Sequence, residues 1–173
     1  MDADSRIDPR ELRNALGRFA TGVCVVTTRD ADGRAWGLTI NSFCSVSLEP
    51  PLVAWWLGAQ APSMAAFVSA PCFAVQVLHA EQRHVAQHFA RPSEDKFSLV
   101  GESLVAGLGD VPVMTDALAS FECRKSGMTT CGDHVMFLGE IERFRYGSSE
   151  PLLFHSGRFL DPRAASPARA VQS

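Results

Sequence analysis

The chain has 173 residues, 46% of them hydrophobic, and a formal net charge of −3 with both signs scattered along its length. That length favours one domain able to bury roughly 70% of its unfolded surface, and nothing resembles the basic stripe of a nucleic-acid binder. The longest apolar runs, such as 52–57, are far too short to span a bilayer.

Residues 1–10 contain no apolar signal region, so a cytoplasmic location is expected. Five cysteines with no CxxC pair read as free thiols in a reducing compartment. Asp8-Pro9-Arg10-Glu11 predicts a helix start: Asp8 caps, Pro9 takes the first helical position, and Glu11 stands where a capping box wants an acid. Leu12, Ala15, Leu16 and Phe19 then share a face, and Thr21-Gly22 is expected to end the helix. The β-branched run 23–28, the turn Asp30-Ala31-Asp32-Gly33 and the run 34–41 form a predicted hairpin.

Segment 37–51 reads GLTINSFCSVSLEPP and lies between apolar runs. Its small polar side chains (Thr39, Asn41, Ser42, Ser45, Ser47) suit a sheet edge and loop. Two readings stand: a Ser/Thr-rich turn between strands, or a set of donors aimed at a phosphate-bearing flat ring. Residues 52–57 predict a buried strand, with Trp55 and Trp56 on opposite faces. Ser63 caps a short helix through 69, Pro71 stops it, and 72–78 is a strand. Residues 81–90 predict a helix with Val85, Ala86 and Phe89 inward. A charged loop follows at 91–96, and the Gly-rich 98–115 yields no element. Long strands are expected at 118–125 and 134–146, joined through 127–133. Short closing strands at 151–154 and 158–160 flank Ser156-Gly157. The Ala/Pro/Arg/Ser tail from Asp161 is expected to be mobile. Domain organisation is thus 1–10 tail, 11–160 domain, 161–173 tail. Strands outnumber helices and connections are short, so the fold class is mainly β, an antiparallel sheet curled into a barrel with two or three helices outside.

Among candidate chemistries, Gly107-Leu108-Gly109 is followed by Pro112 and does not open a nucleotide-binding helix. No Walker loop or GxSxG elbow is present. His84 and His88 are spaced i, i+4, but the Glu of a zincin motif is missing. A solvated helix face is the better account, and no metal is expected. Cys131 and His134 could form a nucleophile pair, yet nothing nearby marks an oxyanion hole. Gly132-Asp133-His134 starts a long strand. Either Asp133 orients His134 at a barrel rim, or His134 is an exposed residue beside a turn.

The ordered set ATGVCVVTT, GLTINSF, SVSLEPPLV, Ser63, FAVQVL, DKF, FEC, GDH and PLLFHSGRF closely resembles the flavin reductase family, the small partner of two-component flavin-dependent monooxygenases. The resemblance covers about 12–159. Two places depart from the usual pattern: Leu38-Thr39-Ile40-Asn41 stands for Met-Thr-Ala-Asn, and Phe154, His155 and Ser156 stand where two Tyr and an Arg are common.

The resemblance implies a split antiparallel Greek-key β-barrel with peripheral helices, forming a homodimer. It implies hydride transfer from NADH, or NADPH, to FMN or FAD, with reduced flavin passed to a monooxygenase partner, and neither nucleic acid nor membrane as partner. By match to the family motif, Thr39, Ile40, Asn41 and Ser42 contact the ring edge or ribityl chain. Ser45, Val46 and Ser47 follow along the ring and phosphate side. Ala54 and Trp55 line the strand behind it. Ser63 suits a phosphate at a helix N-terminus, and Lys96, with Phe97 in the DKF sequence, adds positive charge near it. His134, the one residue assigned to catalysis, holds the nicotinamide, and Arg158 meets the nicotinamide or its phosphates. Competing readings are a flavin-binding electron carrier without its own NAD(P)H turnover, an oxidase acting on a phosphorylated pyridoxine-type substrate, and a non-catalytic interaction domain.

Overall fold

Asp8 opens the first helix as its chemistry demands: its carboxylate accepts from the N–H groups of Arg10 (2.7 Å) and Glu11 (3.4 Å). The computed structural model describes residues 7–93 and 95–160, so the tail expected from Asp161 lies outside the described residues, as do residues 1–6. Helix α1 (Pro9–Leu16) ends sooner than expected, at Gly17, and Thr21–Gly22 forms a short strand, β1. No residue of α1 is buried, and beyond its end Phe19 is 78% exposed.

The chain then forms β2 (Cys24–Arg29), β3 (Ala35–Ile40), β4 (Cys44–Leu48), β5 (Pro51–Gly58), α2 (Met64–Ser69), β6 (Cys72–Val77) and α3 (Arg83–Ala90). There follow β7 (Leu104–Ala106), β8 (Pro112–Met114), β9 (Ala119–Cys131), β10 (His134–Tyr146), β11 (Leu153–His155) and β12 (Arg158–Leu160). A seven-stranded antiparallel sheet runs β3-β2-β6-β9-β10-β5-β4, beside small sheets β1-β11-β12 and β7-β8. The expected mainly-β antiparallel class is observed. The large sheet keeps two free edges: β3 and β4, consecutive in the chain, form no ladder with each other among the described residues.

Side-chain alternation on β2 sorts two cores. Cys24 and Val26 face a cluster with Trp55, Phe67, Phe73, Val75 and Phe137, whereas Val23 and Val25 face Val85, Ala86 and Phe89 of α3. Trp55 stacks on Phe137 at 4.7 Å and meets Phe67 and Phe73 edge-on at 4.9 and 5.8 Å, the offset and T-shaped geometries that ring quadrupoles favour. Gly139 leaves room for this packing, because a Cβ there would lie 2.3 Å from Phe73 Cζ.

Two segments differ from expectation. The unassigned 98–115 contains β7, β8 and short 3-10 turns, elements too brief to print a period. The expected link 127–133 shrinks to two residues, Gly132-Asp133, because β9 continues to Cys131. Only Gly132 takes a positive φ (+63°), the pattern of a II′ hairpin turn. The distal half of β9 is largely exposed, so its sequence lacks the apolar alternation that would have marked it.

Burial pushes the Cys24 and Cys123 thiols up to about 12, since a thiolate there would lose its solvation. Cys72 is buried and shifted the same way, while Cys44 and Cys131 are exposed. A thiol reagent at pH 8 should therefore modify Cys44 and Cys131 in the native protein and the other three only after denaturation. Mass spectrometry reads the sites, and native labelling of Cys24 or Cys123 would contradict this packing.

Candidate cofactor-binding site

Among the described residues strand β3 pairs with β2 alone, so alternate residues turn their backbone groups away from the sheet. Gly37 is one of them: its carbonyl accepts from Lys96 Nζ at 3.0 Å, and the same ammonium donates to the Phe89 carbonyl at 2.9 Å. Thr39 Oγ1 donates to the Ala86 carbonyl at 2.6 Å. These bonds hold α3 and the loop after it against the free edge of β3. Phe89 and Phe97 meet edge-to-face at 5.4 Å behind Gly37.

Between this edge, segment 61–63 and the loop lies a cleft of about 570 Å³, within the ~300–1,000 Å³ usual for ligand sites. It brings together four expected residues: Thr39, Ser63, Lys96 and Phe97. Arg34, Arg91 and Lys96 line it, with no carboxylate among the described residues of the lining. Partial burial holds the Lys96 ammonium below the usual lysine range. A smaller cleft of about 200 Å³ shares Thr39 and Ala90 with the first and adds Ile40, Asn41, Phe154 and Phe159.

The other expected residues are placed differently. Ser42 Oγ accepts from the Trp56 N–H and donates to the Trp56 carbonyl, both at 3.1 Å, so it extends the β4–β5 ladder by one step. Ser45, Val46 and Ser47 stand on β4, at the opposite edge, and line neither cleft. Ala54 and Trp55 are corrected: at 1% and 0% exposure they are core residues and present no surface to a ligand. Ser63 lines the cleft as the N-cap residue of the six-residue α2, and its hydroxyl makes no capping bond to the N–H groups of that helix. Arg158 is exposed on β12, next to Phe159, and lines neither cleft.

His134 opens β10, opposite Cys131 on β9 and Gly58 on β5. Its Nδ1 donates to the Asp133 carboxylate at 2.7 Å, and this bond holds the Asp133 carboxyl below its ordinary value. Asp133 thus orients the ring, leaving Nε2 free to serve as an acceptor. The Ala59 N–H donates to the Asp133 carbonyl at 2.9 Å, which ties the hairpin tip to the segment leading to Ser63. His84 and His88 differ from each other: His84 is exposed, while His88 is half-buried and packs its ring beside Phe89. No cluster able to hold a metal is found among the described residues.

Sequence reasoning missed Arg34, Trp36 and Arg91. Arg34 and Trp36 read as ordinary strand residues and Arg91 as loop charge. Their convergence needs the β3 edge and the α3 loop to meet, and no spacing signals that.

Apolar walls and three converging cations suit a flat anionic ligand of the nucleotide-cofactor class. The model of the flavin reductase like domain matches residues 16–162, and the chain belongs to that family. It is 42% identical over 161 residues to a probable flavin reductase of Rhizobium meliloti, covering 93% of this chain and 51% of that protein, so it spans about half the length of that relative. It is 41% identical over 150 residues to the FMN reductase (NADH) SmoA of Agrobacterium fabrum, covering 87% of this chain and 84% of that one. The structure of the Streptomyces globisporus NADH:FAD oxidoreductase SgcE6 in complex with NAD and FAD fragments superposes with a TM-score of 0.83 at 37% identity, covering 96% of this chain and 99% of that one.

Replacing Lys96 by Met leaves the Gly37 and Phe89 carbonyls short of a donor. A loss of roughly 1–2 kcal/mol in urea unfolding is expected at this half-exposed position, together with weaker binding of an anionic ligand in the cleft. Unchanged stability would mean that the ammonium does not hold the loop.

Proposed function

We propose that the chain is an NADH-dependent flavin reductase, with NADPH as the lesser donor, that reduces FMN or FAD and supplies reduced flavin to a larger monooxygenase component. The observation that carries this reading is the cleft along the free edge of β3: apolar walls, outward backbone groups and three converging cations, Arg34, Arg91 and Lys96. Those features fit a tricyclic ring with a phosphate-bearing tail.

When bound, the flavin accepts a hydride at N5 from C4 of the dihydronicotinamide. The chain's own residues position and shelter. The outward backbone groups of Thr39 offer hydrogen bonds to the ring edge, with Asn41 beyond in the smaller cleft. Lys96 and Arg91 take the phosphate, and Ser63 closes the opposite wall. Phe89 and Phe97 exclude water. His134, held by Asp133, receives the nicotinamide carboxamide and transfers no proton. Arg158 stands at the rim beside Phe159 to meet the donor's phosphates. Holding the two rings face to face supplies most of the rate enhancement.

A homodimer of split barrels, with residues 11–160 as its domain, belongs to the same reading. Leu48 (92% exposed), Tyr146 (80%), Phe144 and Val46 lie on β4 and β10, an amount of exposed apolar surface that suits a second copy. In that dimer Ser45, Val46 and Ser47 approach the flavin of the partner. Light scattering should give twice the 18.7 kDa chain mass, with Tyr146→Asp shifting it toward one copy. A wild-type mass of one chain would remove the dimer.

Anaerobic stopped-flow mixing of NADH with protein and FMN or FAD tests the activity. Bleaching of the flavin absorbance is expected, and its absence with both flavins would overturn the proposal. His134→Ala should raise the KM for NADH about tenfold, the worth of one or two hydrogen bonds, while flavin affinity stays constant. Loss of flavin binding with unchanged NADH kinetics would refute the assignment of His134.

A further inference from the structure

We propose that Arg34 and Trp36 form an adenine seat at the outer end of the cleft, so that this chain takes the dinucleotide flavin in preference to the mononucleotide; the inference rests on the flavin reductase reading above.

Trp36 is held as a platform. Its Nε1–H donates to Asp30 Oδ2 at 2.7 Å. The other oxygen of that carboxylate accepts from the N–H groups of Asp32 (3.1 Å) and Arg34 (2.9 Å), so the anchor is built into the β2–β3 turn. The Arg34 guanidinium lies 4.5 Å from the Trp36 ring centroid. An indole and a guanidinium so paired present flat surfaces on which a purine stacks without base-specific contacts.

Beyond its ties to Asp30 and Arg34, the indole is no member of either large core cluster. Leu38 and Ile40, on the same face of β3, pack into the Trp55 core, but Trp36 takes no part in that core. Among the described residues no other ring packs on it, and both it and Arg34 line the cleft.

Position along β3 supplies the polarity. Thr39 belongs to both clefts and marks the ring end, while Arg34 and Trp36 mark the other end. About 17 Å of strand separates residue 39 from residue 34. Lys96 is bonded to Gly37 midway between them. The order is therefore ring contacts, then cations, then an aromatic platform, which matches isoalloxazine, diphosphate and adenine. A mononucleotide would end at the cations and leave the platform empty.

Binding of FMN and FAD to the protein freed of flavin tests this, followed by flavin fluorescence. The wild type should bind FAD more tightly than FMN. Trp36→Ala should weaken FAD about tenfold, the usual worth of one base–aromatic stack, and FMN less than twofold, with an unchanged KM for NADH. Trp36→Phe, which keeps a stacking face, should recover most of the FAD affinity, and AMP should compete with FAD but not with FMN. Equal weakening of both flavins would reduce Arg34 and Trp36 to a hairpin brace, and a selective rise in the KM for NADH would give the seat to the nicotinamide dinucleotide; either result overturns the proposal. FMN binding separates the two layers. A wild type that binds FMN without favouring FAD removes only the adenine seat, whereas one that binds neither flavin removes the flavin reductase reading itself.

Discussion

The cleft depends on how closely α3 approaches one residue of β3. A Cβ on Gly37 would lie 2.7 Å from Phe89 Cε1 and 3.2 Å from Phe97 Cζ, so the helix and the loop can sit where they do only against a residue without a side chain. That approach brings the Gly37 carbonyl within reach of Lys96, which also holds the last turn of α3 through Phe89. Thr39 makes the third tie, to Ala86. Within three residues of one strand, the position of an entire wall of the site is set.

The edge that accepts this wall is a product of sheet topology. Because β3 and β4 are the two ends of the seven-stranded order, each keeps a row of backbone groups that no strand answers among the described residues. An open edge invites aggregation unless it is covered or otherwise occupied. At β3 the cover is α3, the loop and the ligand cleft. At β4 Val46 and Leu48 stay exposed in the single chain. Between these edges the Trp55, Phe67, Phe73 and Phe137 cluster forms a rigid interior that keeps the edges in place. The stability of the core and the geometry of the site are thus linked through β5 and β10, which carry Trp55 and Phe137 and whose paired ends bear Gly58 and His134.

Much of the framework was legible in the chain. The capped start of α1, the β2–β3 hairpin, the buried β5 and the inward Val85, Ala86 and Phe89 of α3 each follow from capping chemistry or hydrophobic period. The elements that stayed hidden are short, like β7 and β8, or solvent-exposed, like the distal half of β9, and neither kind produces a period. Site residues divide along a similar line. Thr39, Lys96 and Phe97, which line the cleft, stand in ordered motifs and could be singled out from them. Trp55, in an equally distinctive motif, proved to be core, since a strand residue's face decides whether it meets ligand or neighbours. Trp36 and Arg34 carry no motif, and their role rests on a carboxylate in the adjacent turn and a cleft formed by a helix some fifty residues on.

Local chemistry in the sequence therefore determined which segments become strands and helices, which faces turn inward, and the family whose ordered motifs the chain carries. Tertiary structure alone decided which polar groups are left over. Ser42 is spent on Trp56, Lys96 gives two of its three N–H donors to carbonyls and keeps the third, and His134 is oriented by Asp133. Whether a side chain is consumed by its own fold or remains available to a ligand depends on partners distant in sequence, and those contacts exist only once the sheet, the helix and the loop have come together.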